Sequence, residues 1–160
     1  MKHEEEKRTH EEEIKRREEE KLKENCINMY SQLKNGLEQY TDVSSYKIKA
    51  FQVFEDKIVD RERGTIYFHA IDKITIFYNV YGNSIFLCAR GENQNEIQLC
   101  LPIDDRNVKQ ECRLAHILCG YLKCKFNIIK TVNFEYKSDY TNQKHAEDVV
   151  RAIRKEYDQL

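Results

Sequence analysis

Glycine and proline are scarce in this chain: five glycines and a single proline, Pro102, among 160 residues. Disordered and low-complexity chains are rich in both, so the scarcity speaks for folded elements with few breakers between them. Charge of one sign is missing as well. A formal net charge of −1 gives no global pull toward nucleic acid or an anionic membrane. No stretch approaches the roughly 20 apolar residues of a membrane span, and the N-terminus is charged where a secretory signal needs an apolar run. These absences predict an intracellular chain, cytoplasmic or nuclear, with no membrane partner.

Catalytic signatures are absent too. There is no Gly-rich phosphate loop, no G-x-S-x-G elbow and no H-E-x-x-H. The enzymatic reading that remains is a small Cys/His enzyme, with Cys88 as nucleophile and His69 as base on neighbouring strands. It lacks an orienting carboxylate. No cofactor is implied.

What is present begins with charge. The first twenty-five residues hold eight Lys or Arg and ten Glu, so they add little to a core. Glu4 and Arg8, Glu11 and Lys15, Glu12 and Arg16, Glu13 and Arg17, and Glu19 and Lys23 stand at i, i+4 with the acid first. Each such pair adds roughly 0.2–0.5 kcal/mol to a helix. Leu22, Cys26, Met29 and Leu33 follow at spacings of 4, 3 and 4, the alternation of a heptad seam. Ile27, Tyr30 and Leu37 widen that stripe toward an ordinary core face. Asn35-Gly36 is the expected end or bend. The reading is a charged helix over 1–40, a candidate coiled coil and route to a homo-oligomer, and an α+β domain over 41–160. No internal repeat is read from the chain.

Beyond residue 45 the period changes from 3.6 to 2. Strands are expected from Tyr46 to about Val59, with a turn in Asp60–Gly64, and from Thr65 to Ala70. Ile74, Ile76, Tyr78 and Val80 then alternate with Thr75, Phe77, Asn79 and Tyr81. Gly82-Asn83 suits a type II′ turn with glycine at positive φ. That turn sets Val80 opposite Ile85, Tyr78 opposite Leu87 and Ile76 opposite Ala89. The next loop, 91–95, sets Arg90 opposite Glu96, Ala89 opposite Ile97 and Leu87 opposite Leu99. Both turns give one consistent apolar face.

After Pro102 a helix capped by Asp104 or Asp105 has the stripe Val108, Cys112, Ala115, Leu118 and Leu122. Phe126 to Tyr136 alternates as a strand, and Thr141 caps a last helix with the stripe Ala146, Val149, Val150, Ile153 and Tyr157. The fold class is therefore α+β: a long charged helix, an antiparallel meander of four or five strands, then helix-strand-helix.

Three groups are candidate sites. The second sheet face carries Tyr67, His69, Phe77, Tyr81, Phe86, Cys88, Arg90 and Cys100, an aromatic and amphipathic surface. Tyr67, Phe77, Tyr81, Phe86 and Arg90 are its partner-binding residues. The favoured function is a non-catalytic protein-interaction or scaffold subunit. The alternative is nucleic-acid binding, with bases stacked on that face and phosphates held by Lys123, Lys125 and Lys130. Cys112, His116, Cys119 and Cys124 are a weak candidate for zinc, because no C-x-x-C pair accompanies them. The six cysteines are expected mainly as buried thiols.

Overall fold

The computed structural model describes residues 2–38, 51–60, 64–91, 96–102 and 105–160, with side chains for 4–38, 51–60, 64–91 and 108–160. Helix α1 (Lys2–Glu38) is followed by strands β1 (Phe51–Val53), β2 (Lys57–Asp60) and β3 (Gly64–Tyr67). Strands β4 (Ile71–Asn79), β5 (Ser84–Gly91) and β6 (Glu96–Pro102) precede helix α2 (Asp105–Phe126), strand β7 (Val132–Lys137) and helix α3 (Gln143–Asp158). The expected α+β order holds.

The meander is two sheets. β1, β2 and β3 form an antiparallel three-stranded sheet, and the second has the order β6-β5-β4-β7. The run expected as one strand up to Val59 contains the β1–β2 hairpin, closed by Phe54 N–H donating to Lys57 O at 2.9 Å. Its start, 46–50, lies outside the described residues. The strand expected to reach Ala70 ends at Tyr67, where Phe68–Ala70 turn as a short 3-10 helix. Phe68 causes the break: it is fully buried and packs edge-on against Tyr121 of α2, 5.1 Å between ring centroids. A side chain drawn into the helix layer takes its backbone out of the strand.

The β4–β5 hairpin keeps the expected face but not the expected partners. Tyr78 pairs with Ile85, Ile76 with Leu87 and Ile74 with Ala89, a slip of two residues. Gly82 is not at positive φ; Asn83 is, at 46°. The loop is four residues long, Val80 to Asn83. Asn79 Oδ1 accepts from the Tyr81 N–H at 3.0 Å and helps shape it. A slip of two leaves the side-chain alternation intact, so the aliphatic face survives the wrong turn. The β5–β6 register is as expected, with Arg90 on Glu96, Ala89 on Ile97 and Leu87 on Leu99.

β7 runs parallel to β4, pairing Ile76 with Phe134 and Tyr78 with Tyr136. It begins later than its alternation suggests because α2 continues to Phe126. Asn127, at φ 56°, then caps the helix by donating to Lys123 O at 3.1 Å, a left-handed stop. α2 starts at Asp105; Asp104 lies outside the described residues. Thr141 is not the cap of α3. That position is Asn142, and Asp139 Oδ1 shapes the approach by accepting from Thr141 N, Thr141 Oγ1 and Asn142 N at 2.9, 2.7 and 3.0 Å.

All three helices lie on the aliphatic side. Ile74, Ile76, Tyr78, Ile85, Leu87 and Ala89 are buried there beneath Cys112, Ala115, Leu118 and Leu122 of α2 and Ala146 and Ile153 of α3. α1 joins through Leu33 and Leu37, which line a small internal void with Ile58, Leu87, Ala89, Leu114 and Leu118. α1 and α2 run antiparallel: Cys26 meets Cys124, Met29 meets Gly120 and Gly36 meets Leu114. Gly36 therefore does not end α1. It marks a close approach of two helices.

A candidate docking face

Strand alternation sends every second residue of the four-stranded sheet away from the helices. On β4 these are Lys73, Thr75, Phe77 and Asn79, and their β5 partners are Arg90, Cys88, Phe86 and Ser84. On β7 they are Asn133, Glu135 and Lys137, beside Thr75, Phe77 and Asn79. The result is a shallow depression of about 450 Å³. Phe77 and Phe86 form its centre, half-buried, 6.2 Å apart and tilted by 53°. Lys73 Nζ reaches Glu135 Oε1 at 2.6 Å across one side. Arg90 and Lys137 stand at opposite ends, both exposed. No described helix lies on this face.

Of the residues expected on this surface, the structure brings Phe77, Phe86, Cys88 and Arg90 together. Tyr67 and His69 belong elsewhere. Tyr67 is in the three-stranded sheet and His69 in the turn after it, with rings 5.7 Å apart. Tyr81 sits in the β4–β5 loop and is exposed. Cys100 pairs with Phe86 in backbone register, and its side chain lies outside the described ones. His69, the imagined base, lies in the turn between β3 and β4 and does not line the depression that holds Cys88, the imagined nucleophile. Lys73, Glu135 and Lys137 were not singled out from the sequence. Their signal was available in the alternation of β7, but using it requires knowing that β7 lies beside β4.

Lys123 and Lys125 occupy the last turn of α2, and Lys130 the link to β7. Lys123 and Lys125 belong to the helix layer, and none of the three lysines lines the depression around Phe77 and Phe86.

The cysteine and histidine cluster is also taken apart. Cys112 is buried and donates to Ile153 O at 3.7 Å, and burial pushes its thiol up to about 12. Cys119 is half-buried and raised by burial, while the His116 ring lies 6.1 Å from Tyr157. Cys124 is bonded to Cys26, with Cα atoms 5.7 Å apart. No three His, Cys, Asp or Glu gather as a metal site among the described residues. The disulfide departs from the expectation of thiols because two antiparallel helices bring residues 98 positions apart face to face.

The start of α1 stands apart from all this. Its side chains from Glu4 to Asn25 are exposed without interruption, since α2 ends opposite Cys26. Of the expected seam, Cys26, Met29 and Leu33 pack within the chain, while Leu22 is 65% exposed. The start of α1 carries a repeat where none was expected: acidic triplets recur every seven residues, at Glu4–Glu6, Glu11–Glu13 and Glu18–Glu20. Arg17 donates to Glu13 at 3.0 Å, one of the i, i+4 pairs this spacing allows.

No family model matches the chain, and no curated protein or solved structure compared with it is similar to it.

Proposed function

We propose that this chain is a non-catalytic protein-interaction or scaffold subunit whose open sheet face docks a partner protein and whose charged helix is a separate arm. The observation that carries the reading is the one-sided layering. Three helices cover the aliphatic face, and the opposite face keeps two half-buried phenylalanines ringed by charge. An apolar centre with a charged rim is how interaction surfaces are built. The arm, Lys2 to Asn25, extends about 36 Å at 1.5 Å per residue. A helix polar all round supports itself through many i, i+4 pairs. Because Cys26, Met29 and Leu33 already pack within the chain, joining two copies through that seam is not favoured.

An intracellular setting is part of this reading, and in a reducing compartment Cys26 and Cys124 would stand as thiols beside Cys88, Cys112 and Cys119. No helix of the described residues is long and apolar enough to cross a membrane.

The test is affinity capture with three baits: the intact chain, a Phe77→Ala/Phe86→Ala variant, and an Arg90→Glu variant at an exposed position. Loss of the same proteins from both face variants, with melting temperature retained in Arg90→Glu, is the expected result. Unchanged capture by both variants would sink the reading. Capture of nucleic acid that is lost on changing Lys123, Lys125 and Lys130 to Glu would replace it with the alternative.

A further inference from the structure

We propose that the Cys26–Cys124 pair is a thiol–disulfide exchange site for a small peptide thiol of the glutathione type, with Cys124 taking the peptide and Cys26 leaving as the thiolate. The site shares no lining residue with the docking face above and does not depend on it.

A bond between two helices is either a buried staple or an accessible link, and its placement decides which. Cys124 is exposed in the last turn of α2, and Cys26 is half-buried on α1. Both line an open groove of about 760 Å³, walled by Leu22, Ile27, Tyr30 and Tyr121. Small-molecule sites span about 300–1,000 Å³, so a tripeptide has room beside the bond. Leu22 and Ile27, 65% and 63% exposed, form the accessible α1 side of the groove.

The peptide thiolate attacks Cys124 Sγ and a new S–S bond forms there. The Cys26–Cys124 bond breaks, its electron pair goes to Cys26 Sγ, and that sulfur takes a proton from water. Access helps decide which sulfur is attacked, and Cys124 is the more exposed of the two. Return of the Cys26 thiolate expels the peptide and restores the bond. A second peptide thiol instead removes the first as its disulfide and leaves both cysteines reduced. Cys112 and Cys119 do not compete for Cys124, because the thiolate is the nucleophile. Burial pushes the Cys112 thiol up to about 12 and raises that of Cys119.

Opening the bond unties only the outer turn of α1. Met29 still meets Gly120, and Leu33 and Leu37 stay in the core. The head keeps its fold while the turn around Cys26 is released. Transient disulfides of this kind are the usual ones in a reducing compartment.

The test treats the oxidised full chain with reduced glutathione in native buffer, traps it with N-ethylmaleimide and maps the products by mass spectrometry. Reduced glutathione does not couple to a thiol, so an adduct reports an opened disulfide. The expected products carry glutathione on Cys124 and maleimide on Cys26, with the reverse pattern several-fold rarer. Ile27→Trp fills the groove from an exposed position. It should slow opening by glutathione several-fold more than opening by mercaptoethanol. In Cys26→Ser, glutathione disulfide should leave a lasting adduct on Cys124, since the thiolate that expels it is gone. Amide exchange around Cys26, but not around Leu33, should rise on reduction. Opening only in urea that unfolds the chain, or glutathione chiefly on Cys26, would overturn the proposal. Equal slowing of both thiols by Ile27→Trp would overturn the part given to the groove, and unchanged amide exchange the release of α1.

Discussion

Gly36 and Leu114 meet where α1 crosses α2: a Cβ built on Gly36 would stand 2.5 Å from Leu114 Cδ2. Leu114 is itself buried, and the void of about 20 Å³ that it lines admits only a small shift. Gly36→Ala should therefore destabilise the protein by about 1–2 kcal/mol through overpacking, although alanine is the better helix former. Gly120 gives the opposite sign. A Cβ there meets the Met29 sulfur at 3.1 Å, and a flexible, half-buried methionine can yield. Gly120→Ala should be neutral or stabilising by up to about 1 kcal/mol. Urea unfolding of the two variants, read side by side, checks the contrast.

Reduction of the Cys26–Cys124 bond should lower stability by about 2–4 kcal/mol, since it releases a link between residues far apart in the chain. In a chain of this size the melting temperature falls by roughly 5–15 °C. Cys26→Ser should show the same fall without reductant and no further fall with it. Peptide mapping after alkylation of the unreduced, denatured protein should label Cys88, Cys112 and Cys119 while sparing Cys26 and Cys124.

Glu111 is fully buried, and neither carboxylate oxygen has a hydrogen-bond partner among the described residues, so burial pushes its pKa well above the ordinary 4.5. The folded chain holds a proton there that the unfolded chain releases above about pH 4.5. Stability should fall as pH rises from that value, until the folded pKa is passed. Glu111→Met should add about 1–3 kcal/mol at neutral pH and flatten that slope in thermal melts across pH. An unchanged slope would assign the pH dependence elsewhere.

Asp139 behaves in the reverse sense. Its hydrogen bonds from the Thr141 side chain and from the Thr141 and Asn142 backbone hold its carboxyl below the usual range. The stability it contributes is present above the unfolded pKa and is lost as pH falls through the folded one. Asp139→Ala should destabilise the approach to α3 at neutral pH and leave stability unchanged in strong acid. Amide exchange in the first turn of α3 should rise in the variant.

Deleting residues 1–20 should leave the melting temperature nearly unchanged, because these side chains from Glu4 on are exposed and bury almost no apolar area. Circular dichroism should lose the helical signal of that segment alone. Light scattering on the same pair of proteins reports whether the arm has any part in self-association.

Much of the candidate face was legible in advance because strand periodicity is local. Alternation alone assigned Phe77, Phe86, Cys88 and Arg90 to one side of β4 and β5, and a two-residue error in the hairpin could not move them across. Tyr67 was misplaced for a reason the same rule cannot see: Phe68 leaves the strand to fill a space beneath Tyr121. Lys73, Glu135 and Lys137 were missed because their neighbourhood depends on a parallel pairing between residues about sixty positions apart.

By itself the sequence determined what repeats along the chain: a charged helix at its start, the aliphatic and aromatic faces of β4 and β5, and the buried stripes of α2 and α3. Period and charge act over a few residues, so each is set before any distant contact forms. Only the tertiary structure decided which stripe met which. It turned a heptad seam into a crossing with α2, made Gly36 a point of contact rather than a stop, and joined Cys26 to Cys124. It also set β7 against β4, completing the charged rim. Those outcomes follow from packing between distant segments, where one glycine or one phenylalanine determines how closely two elements approach.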